Sequence, residues 1–374
     1  MGRGEIGMSA VRTSLKTAAS YGFHLSGMDR LIGTLTGASK VPPIISYHRV
    51  VENFEESSRN SISSMLISTR MLEQHLDCIG RHYEFVSLDE IGSHLEAGTS
   101  FTKPAAALAF DDGYRDVYEN AFPLLVKKGI PATVFVVTGI AGTEKLQIHD
   151  KLYLLLKSAL SDAGQTTRQV VELLQNADIV VPKTEAIGRM QPNPFFVMAE
   201  LLDGVSQAQA NRMIQVLEER FGLQNCCYDG LNSLTWEMLK EMQSAGMTIG
   251  SHTRSHVLLT NESTEKMADE TARSRRELEE RLSVKVEHFA YPDGRHNCDA
   301  IAAVAEAGYR FAYTTCRQRD AEYPLLTIPR KVLWEKSSVD SSGCFSPAMM
   351  ACQMNWVFDL GSNCSHDHTR RLSQ

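Results

Sequence analysis

Two short apolar runs, separated by a helical stretch, restrict this chain more than any other feature. Residues 105–110 read AAALAF and residues 131–137 read PATVFVV, with a turn, DDGY, and a helical pattern over 118–128 between them. Both runs read as buried strands. Strand, helix and strand within about thirty residues make a βαβ unit, whose strands must run parallel.

The alternation continues on both sides of that unit. Residues 41–47 (VPPIISY) read as a strand whose two prolines are confined to its start. The spacing predicts a helix over 64–81, a short strand at 85–88 and a helix over 88–95 entered at Ser87 or Asp89. Thr235 suits the N-cap of a helix that Gly246 closes, and a strand follows at 247–251. Then come a helix over 264–282, strand and turn in HFAYPDG, a helix over 300–307 and a strand over 309–315. This is the rhythm of an α/β barrel or a doubly wound sheet. Between 145 and 234 the β pattern fades and runs such as KLYLLLKSAL and RMIQVLEERF are helical, so an insertion is expected there, covering one mouth of the sheet. Residues 1–40 form an N-terminal helical segment, suited to packing on the main domain or resting on a membrane surface. The tail, 336–374, loses its periodicity apart from one more helix near 349–358.

Composition closes off several classes. The 374 residues carry 38 Lys and Arg against 45 Asp and Glu, a net charge of −7, without a basic block. Phosphate neutralisation needs such a block, so nucleic acid is not an expected partner. The eight cysteines, among them the adjacent Cys226 and Cys227, show no CxxC pair and read as reduced packing residues. No run of 18 apolar residues and no signal-peptide pattern is present, so a cytoplasmic protein is expected, with peripheral contact at the inner membrane face allowed.

Chemistry concentrates at two strand ends. Asp111, Asp112 and Gly113 follow AAALAF directly, where parallel α/β folds place their sites. His252 and His256 follow the run MTIGS, and two imidazoles four residues apart face the same way if the segment is helical. One aspartate and two histidines make a three-ligand metal site with an open position. The other aspartate would then remain free as a general base.

These residues resemble the polysaccharide deacetylases of carbohydrate esterase family 4, the group with the NodB-homology domain. AFDDG is similar to the family's first motif, SHTRSH to its second and FAYPDG to a variant of its third, while IISYHRV looks like the YHRV segment of permuted bacterial members. The resemblance spans about residues 40 to 335. It implies a distorted (β/α) barrel of about seven strands, with Asp111 as general base and Asp112, His252 and His256 as metal ligands. It also implies His48 as general acid and the backbone N–H at Asp293 as oxyanion donor. The implied reaction is metal-dependent removal of acetyl from an N-acetylated amino sugar, in a polysaccharide or its precursor. The alternatives are hydrolysis of another N-acyl compound and a non-catalytic, metal-containing sugar-binding domain. Zinc suits one carboxylate and two imidazoles, and cobalt, nickel or iron could occupy the same set.

The third motif departs from the family. Where an arginine often holds the catalytic base, this chain has Ala290, so Arg330 is the expected substitute and Arg115 the second choice. An aromatic position is taken by Asp293. His366 and His368 read as an exposed tail, Trp236 and Trp334 as packing residues, and neither Cys298 nor Cys316 has a neighbouring base that would make it a nucleophile.

Overall fold

A computed structural model describes residues 3–35, 41–223 and 229–360. Its strands are β1 (Ile44–Tyr47), β2 (Arg49–Val51), β3 (Leu66–Ser68), β4 (Glu84–Phe85), β5 (Ala105–Phe110), β6 (Thr133–Val136), β7 (Thr248–Ser251), β8 (His288–Ala290), β9 (Phe311–Thr314), β10 (Ile328–Pro329) and β11 (Lys331–Val332). The main sheet runs β10-β9-β8-β7-β6-β5-β1-β11, and every pairing in it is parallel. Its two edges, β10 and β11, are separated only by Arg330, whose backbone N–H bonds to Thr314 while the next residue pairs with Ile45. One continuous strand therefore joins both edges and nearly closes a barrel. Along this path the assigned strands number eight and the chain paths seven, and β4 adds a ninth strand by pairing with the start of β5.

Period-two alternation sorts each strand into an inward and an outward set. In β5 the alanines at 105, 107 and 109 point into the barrel among Phe135, Phe311 and Tyr313, and Leu108 and Phe110 point out to the helices. Small inward residues on one strand leave space for large rings from its neighbours, which is how a narrow barrel fills without overpacking. The outer helices start at side-chain caps: Ser68, Ser87 with Glu90 in a capping box, Thr235, Ser263 and Asn297.

The insertion contributes helices Ile148–Lys157, Thr167–Asn176, Thr184–Gly188, Pro194–Leu202 and Gln207–Phe221. They share a core of their own, with Leu155, Leu174, Val197, Leu201 and Leu217 buried together, and Ile62 reaches into it from the barrel side.

Two local expectations change. Residues 64–68 do not begin the α-helix, which starts at Thr69: a single 3-10 turn at Ser63–Met65 leads into β3, which pairs with β2. Leu66 and Ile67 are both fully buried, which an extended backbone permits and one helix face does not. The tail helix lies earlier than expected, at Pro347–Met354, because Ser346 caps it and Pro347 suits its first turn. Against it packs the N-terminal helix Arg3–Ser26, with Ser20 Oγ donating to Met349 Sδ at 3.0 Å.

Candidate metal centre and surrounding site

Strand parity assembles half of the site. Ser46 and His48 continue the inward set of β1, Asp111 that of β5, His252 that of β7, and Arg330 the set that begins with Ile328. All of these stand at the C-terminal ends of parallel strands, the mouth where barrel enzymes carry their chemistry. The backbone bends sharply there. Asp112, Thr253, His256 and Asp293 have φ of 69°, 65°, 56° and 56°, half of the eight non-glycine residues in the left-handed region among those described. That conformation is unfavourable for a side-chain-bearing residue and collects where a site imposes it.

Asp112, His252 and His256 present ligand atoms within 4.8 Å of one another, the one such group of three among the described residues. Asp112 Oδ1 lies 3.4 Å from His252 Nε2 and 3.1 Å from His256 Nε2. The two histidines do not come from a helix. They flank a turn that a buried carboxylate ties down, that of Glu270, its Oε2 accepting from the backbone N–H groups of Arg254 and Ser255 at 2.9 Å each. His252 Nδ1 is 2.7 Å from the carbonyl of Ala290, so the ring donates there and Nε2 is left as the ligand atom. Both carboxylate oxygens of Asp112 are buried without a hydrogen-bond partner. Such a group needs a cation. The donor set thus fits a divalent metal.

Burial pushes His252 down to about 4, and the deprotonated ring is the form that ligates. Burial works the same way on His256, but the Asp112 carboxylate outweighs it and raises that ring. Asp112 itself is held well below the carboxylate range: burial opposes ionisation, and His256, His149 and His48 overcome it.

Asp111 points the other way. Its Oδ1 accepts from Arg330 Nη1, which also donates to Ser46 Oγ at 3.2 Å, and its Oδ2 lies 3.9 Å from His48 Nε2. Burial would raise its pKa, but Arg330, His252 and His48 lower it, so it stays ionised. Arg115 forms no ion pair among the described residues. Asp293 lies on the cavity wall just beyond β8, with its carboxylate 2.8 Å from Arg295. The cavity measures about 410 Å³ and reaches from these residues to Phe195, Met198 and Leu202 of the insertion.

Three residues escaped the sequence reading. His149 Nε2 lies 3.8 Å from Asp112 Oδ2, and its ring stands 4.8 Å from that of His256. Tyr114 Oη is 2.9 Å from His149 Nε2 and donates to Asp150 Oδ2 at 2.6 Å. The available signal was an adjacent His and Asp at the first helical run of the insertion, together with the tyrosine of DDGY. Trp236 and Trp334 do not line the cavity, and neither do Cys298 and Cys316. Cys226, Cys227, His366 and His368 lie outside the described residues.

A sequence profile of a family described as polysaccharide deacetylase matches residues 98–181 and 192–312, more than half of the chain. A poly-beta-1,6-N-acetyl-D-glucosamine N-deacetylase of Staphylococcus aureus (strain MSSA476) is 33% identical over 116 residues, covering 29% of this chain and 40% of that protein. The chain thus spans two fifths of that relative's length. The YxkH protein of Bacillus subtilis (strain 168) is 20% identical over 274 residues, 73% of this chain and 64% of its own. Among solved structures, IcaB from Ammonifex degensii superimposes with a TM-score of 0.50 at 20% identity, covering 84% of this chain and 96% of that one. The Streptococcus pyogenes deacetylase PplD in complex with acetate gives 0.50 at 20%, covering 80% and 95%. At these identities the structural likeness speaks to the fold.

Proposed function

The chain belongs to the polysaccharide deacetylase family, and from that premise we propose that it hydrolyses the N-acetyl amide of an amino sugar in a polysaccharide or its precursor. The observation that carries this reading is the division of labour between adjacent carboxylates. Asp112 faces imidazoles and no arginine or lysine, while Asp111 faces an arginine and the imidazole of His48. A divalent cation, zinc first and cobalt, nickel or iron as substitutes, would be held by Asp112, His252 and His256 and would supply Lewis acidity to a carbonyl and to water. Asp111 takes the proton of the attacking water. Arg330 keeps that carboxylate oriented and ionised. His48, at the same cavity wall, gives a proton to the departing amine, which an amide nitrogen needs in order to leave. The backbone N–H at Asp293 serves as donor to the developing oxyanion. The relative that acts on poly-beta-1,6-N-acetyl-D-glucosamine makes β-1,6-linked oligomers the first substrates to try.

The reading includes a cytoplasmic location at a membrane face. Leu15, Leu25, Met28, Leu31 and Leu35 of the two N-terminal helices, Arg3–Ser26 and Met28–Leu35, are all exposed, which supports peripheral contact with lipid.

The test is acetate release from N-acetylglucosamine oligomers of several linkages by metal-stripped protein, with and without added zinc. Zinc-dependent release that Asp111→Asn lowers at least about 100-fold is the expected outcome. Equal release by both proteins would overturn the assignment of Asp111. Saturable sugar binding without release from any N-acyl substrate would instead favour a binding domain.

A further inference from the structure

The insertion does more at this site than wall the cavity. Its first residues converge on Asp112 beside the ligand histidine His256, whose ring stands 4.8 Å from that of His149. Gln147, itself buried, donates from Nε2 to the backbone carbonyl of Asp112 at 3.0 Å. His149, in the first turn of helix Ile148–Lys157, faces Asp112 Oδ2. Asp150 holds Tyr114, two residues beyond Asp112, through a 2.6 Å hydrogen bond.

The carboxylate's two oxygens have different surroundings. Oδ1 is the one near His252 and His256. Oδ2 lies 3.8 Å from His149 Nε2, and it is buried with no hydrogen-bond partner. Tautomer logic then says what His149 offers. The phenol of Tyr114 gives its single hydrogen to Asp150, so toward His149 its oxygen can only accept, and Nε2 must carry the hydrogen. An N–H therefore sits between the phenol oxygen and the orphaned carboxylate oxygen. A movement of about 1 Å brings it to the length of a charge-assisted hydrogen bond.

We infer that His149 is a positioning residue for the metal centre: its Nε2–H, in the tautomer that Tyr114 and Asp150 fix, is shared between the phenol oxygen and Asp112 Oδ2 and holds the carboxylate so that Oδ1 alone faces the metal. Partners of this kind around ligand groups change metal affinity by about 10–100-fold when removed. The inference rests on the metal-site part of the proposed function, and it makes the insertion a structural member of the metal site.

The experiment measures zinc and cobalt affinity by chelator competition on the full-length protein, which requires no substrate, together with the visible absorption of the cobalt form. His149→Ala is expected to bind about 10–100-fold more weakly. His149→Gln, which keeps an N–H donor, should recover part of that loss, and Tyr114→Phe should show a smaller loss in the same direction. Affinities of His149→Ala and Tyr114→Phe both within two-fold of the parent would overturn the inference. An equal loss in His149→Ala and His149→Gln, with an altered cobalt spectrum, would mean that His149 binds the metal directly, and would overturn the positioning role. Should His149→Ala not fold, Tyr114→Phe and His149→Gln decide the matter against the parent. A parent that binds neither metal sinks the metal site itself, an outcome distinct from all of these.

Discussion

Arg330 carries a buried charge at the mouth of the barrel, between two strands and over the ring of Phe135. Only Asp111 and Ser46 compensate it. Removing one member of a buried pair leaves the other uncompensated, so Arg330→Met is expected to destabilise the fold by about 3–5 kcal/mol, read from urea unfolding. Arg330→Lys should cost less, because it keeps the charge. His75 is the opposite case, a histidine buried beside Tyr47 and pushed down to about 3 by burial. The unfolded chain binds a proton near pH 6.5 and the folded chain does not. The stabilisation is therefore complete above pH 6.5 and is lost as pH falls below it, by about 1.4 kcal/mol per unit. Unfolding free energies of the parent and His75→Phe, compared between pH 7 and pH 5, should differ in slope by that amount. Parallel profiles would show that His75 does not titrate on unfolding as described.

Within an element, the fit between β7 and β6 is set by an absent side chain. A Cβ on Gly250 would stand 2.6 Å from the Phe135 ring and 3.1 Å from the carbonyl of His288. Gly250→Ala must displace a strand that carries His252 at its end, and overpacking of this kind costs about 1–3 kcal/mol. Thermal unfolding measures that cost, and metal affinity should fall with it. The insertion, in contrast, has its own core. Leu155→Ala should weaken its helices by about 2–5 kcal/mol. Hydrogen exchange would then quicken across 148–221 and stay slow in β5 and β6, whereas uniform quickening would mean that barrel and insertion unfold as one unit.

Over the whole molecule, charge is unevenly shared. The first forty residues hold five Lys and Arg against two acids, in a chain whose net charge is −7. A basic segment with an outward apolar stripe suits an anionic lipid surface. On this reading the protein co-sediments with vesicles of phosphatidylcholine containing about one-third phosphatidylglycerol, and less so as salt rises. The double variant Leu25→Glu/Leu31→Glu, at two exposed positions, should abolish the effect. Sedimentation that the variant leaves unchanged would remove the N-terminal helices from the explanation. Among the described residues no helix is long and apolar enough to cross a membrane.

The sequence by itself determined what is local. AAALAF and PATVFVV announced parallel strands because a buried strand needs no information beyond its own apolar run and the helix that follows. Asp111, Asp112, His252 and His256 could be read because each stands within a few residues of such a run, and a strand's end is a definite place in this architecture. Tertiary structure decided the rest. Arg330 is 219 residues from Asp111, and the two meet only because barrel closure lays their strands around one interior with matching parity. His252 and His256 converge through a left-handed turn held by Glu270, where helical spacing was the condition assumed. His149 reaches Asp112 from an insertion whose helices record which face is buried and carry no local mark of what that face will meet. Hydrophobic pattern is a property of neighbours in the chain, and contact between remote polar groups is a property of the closed fold.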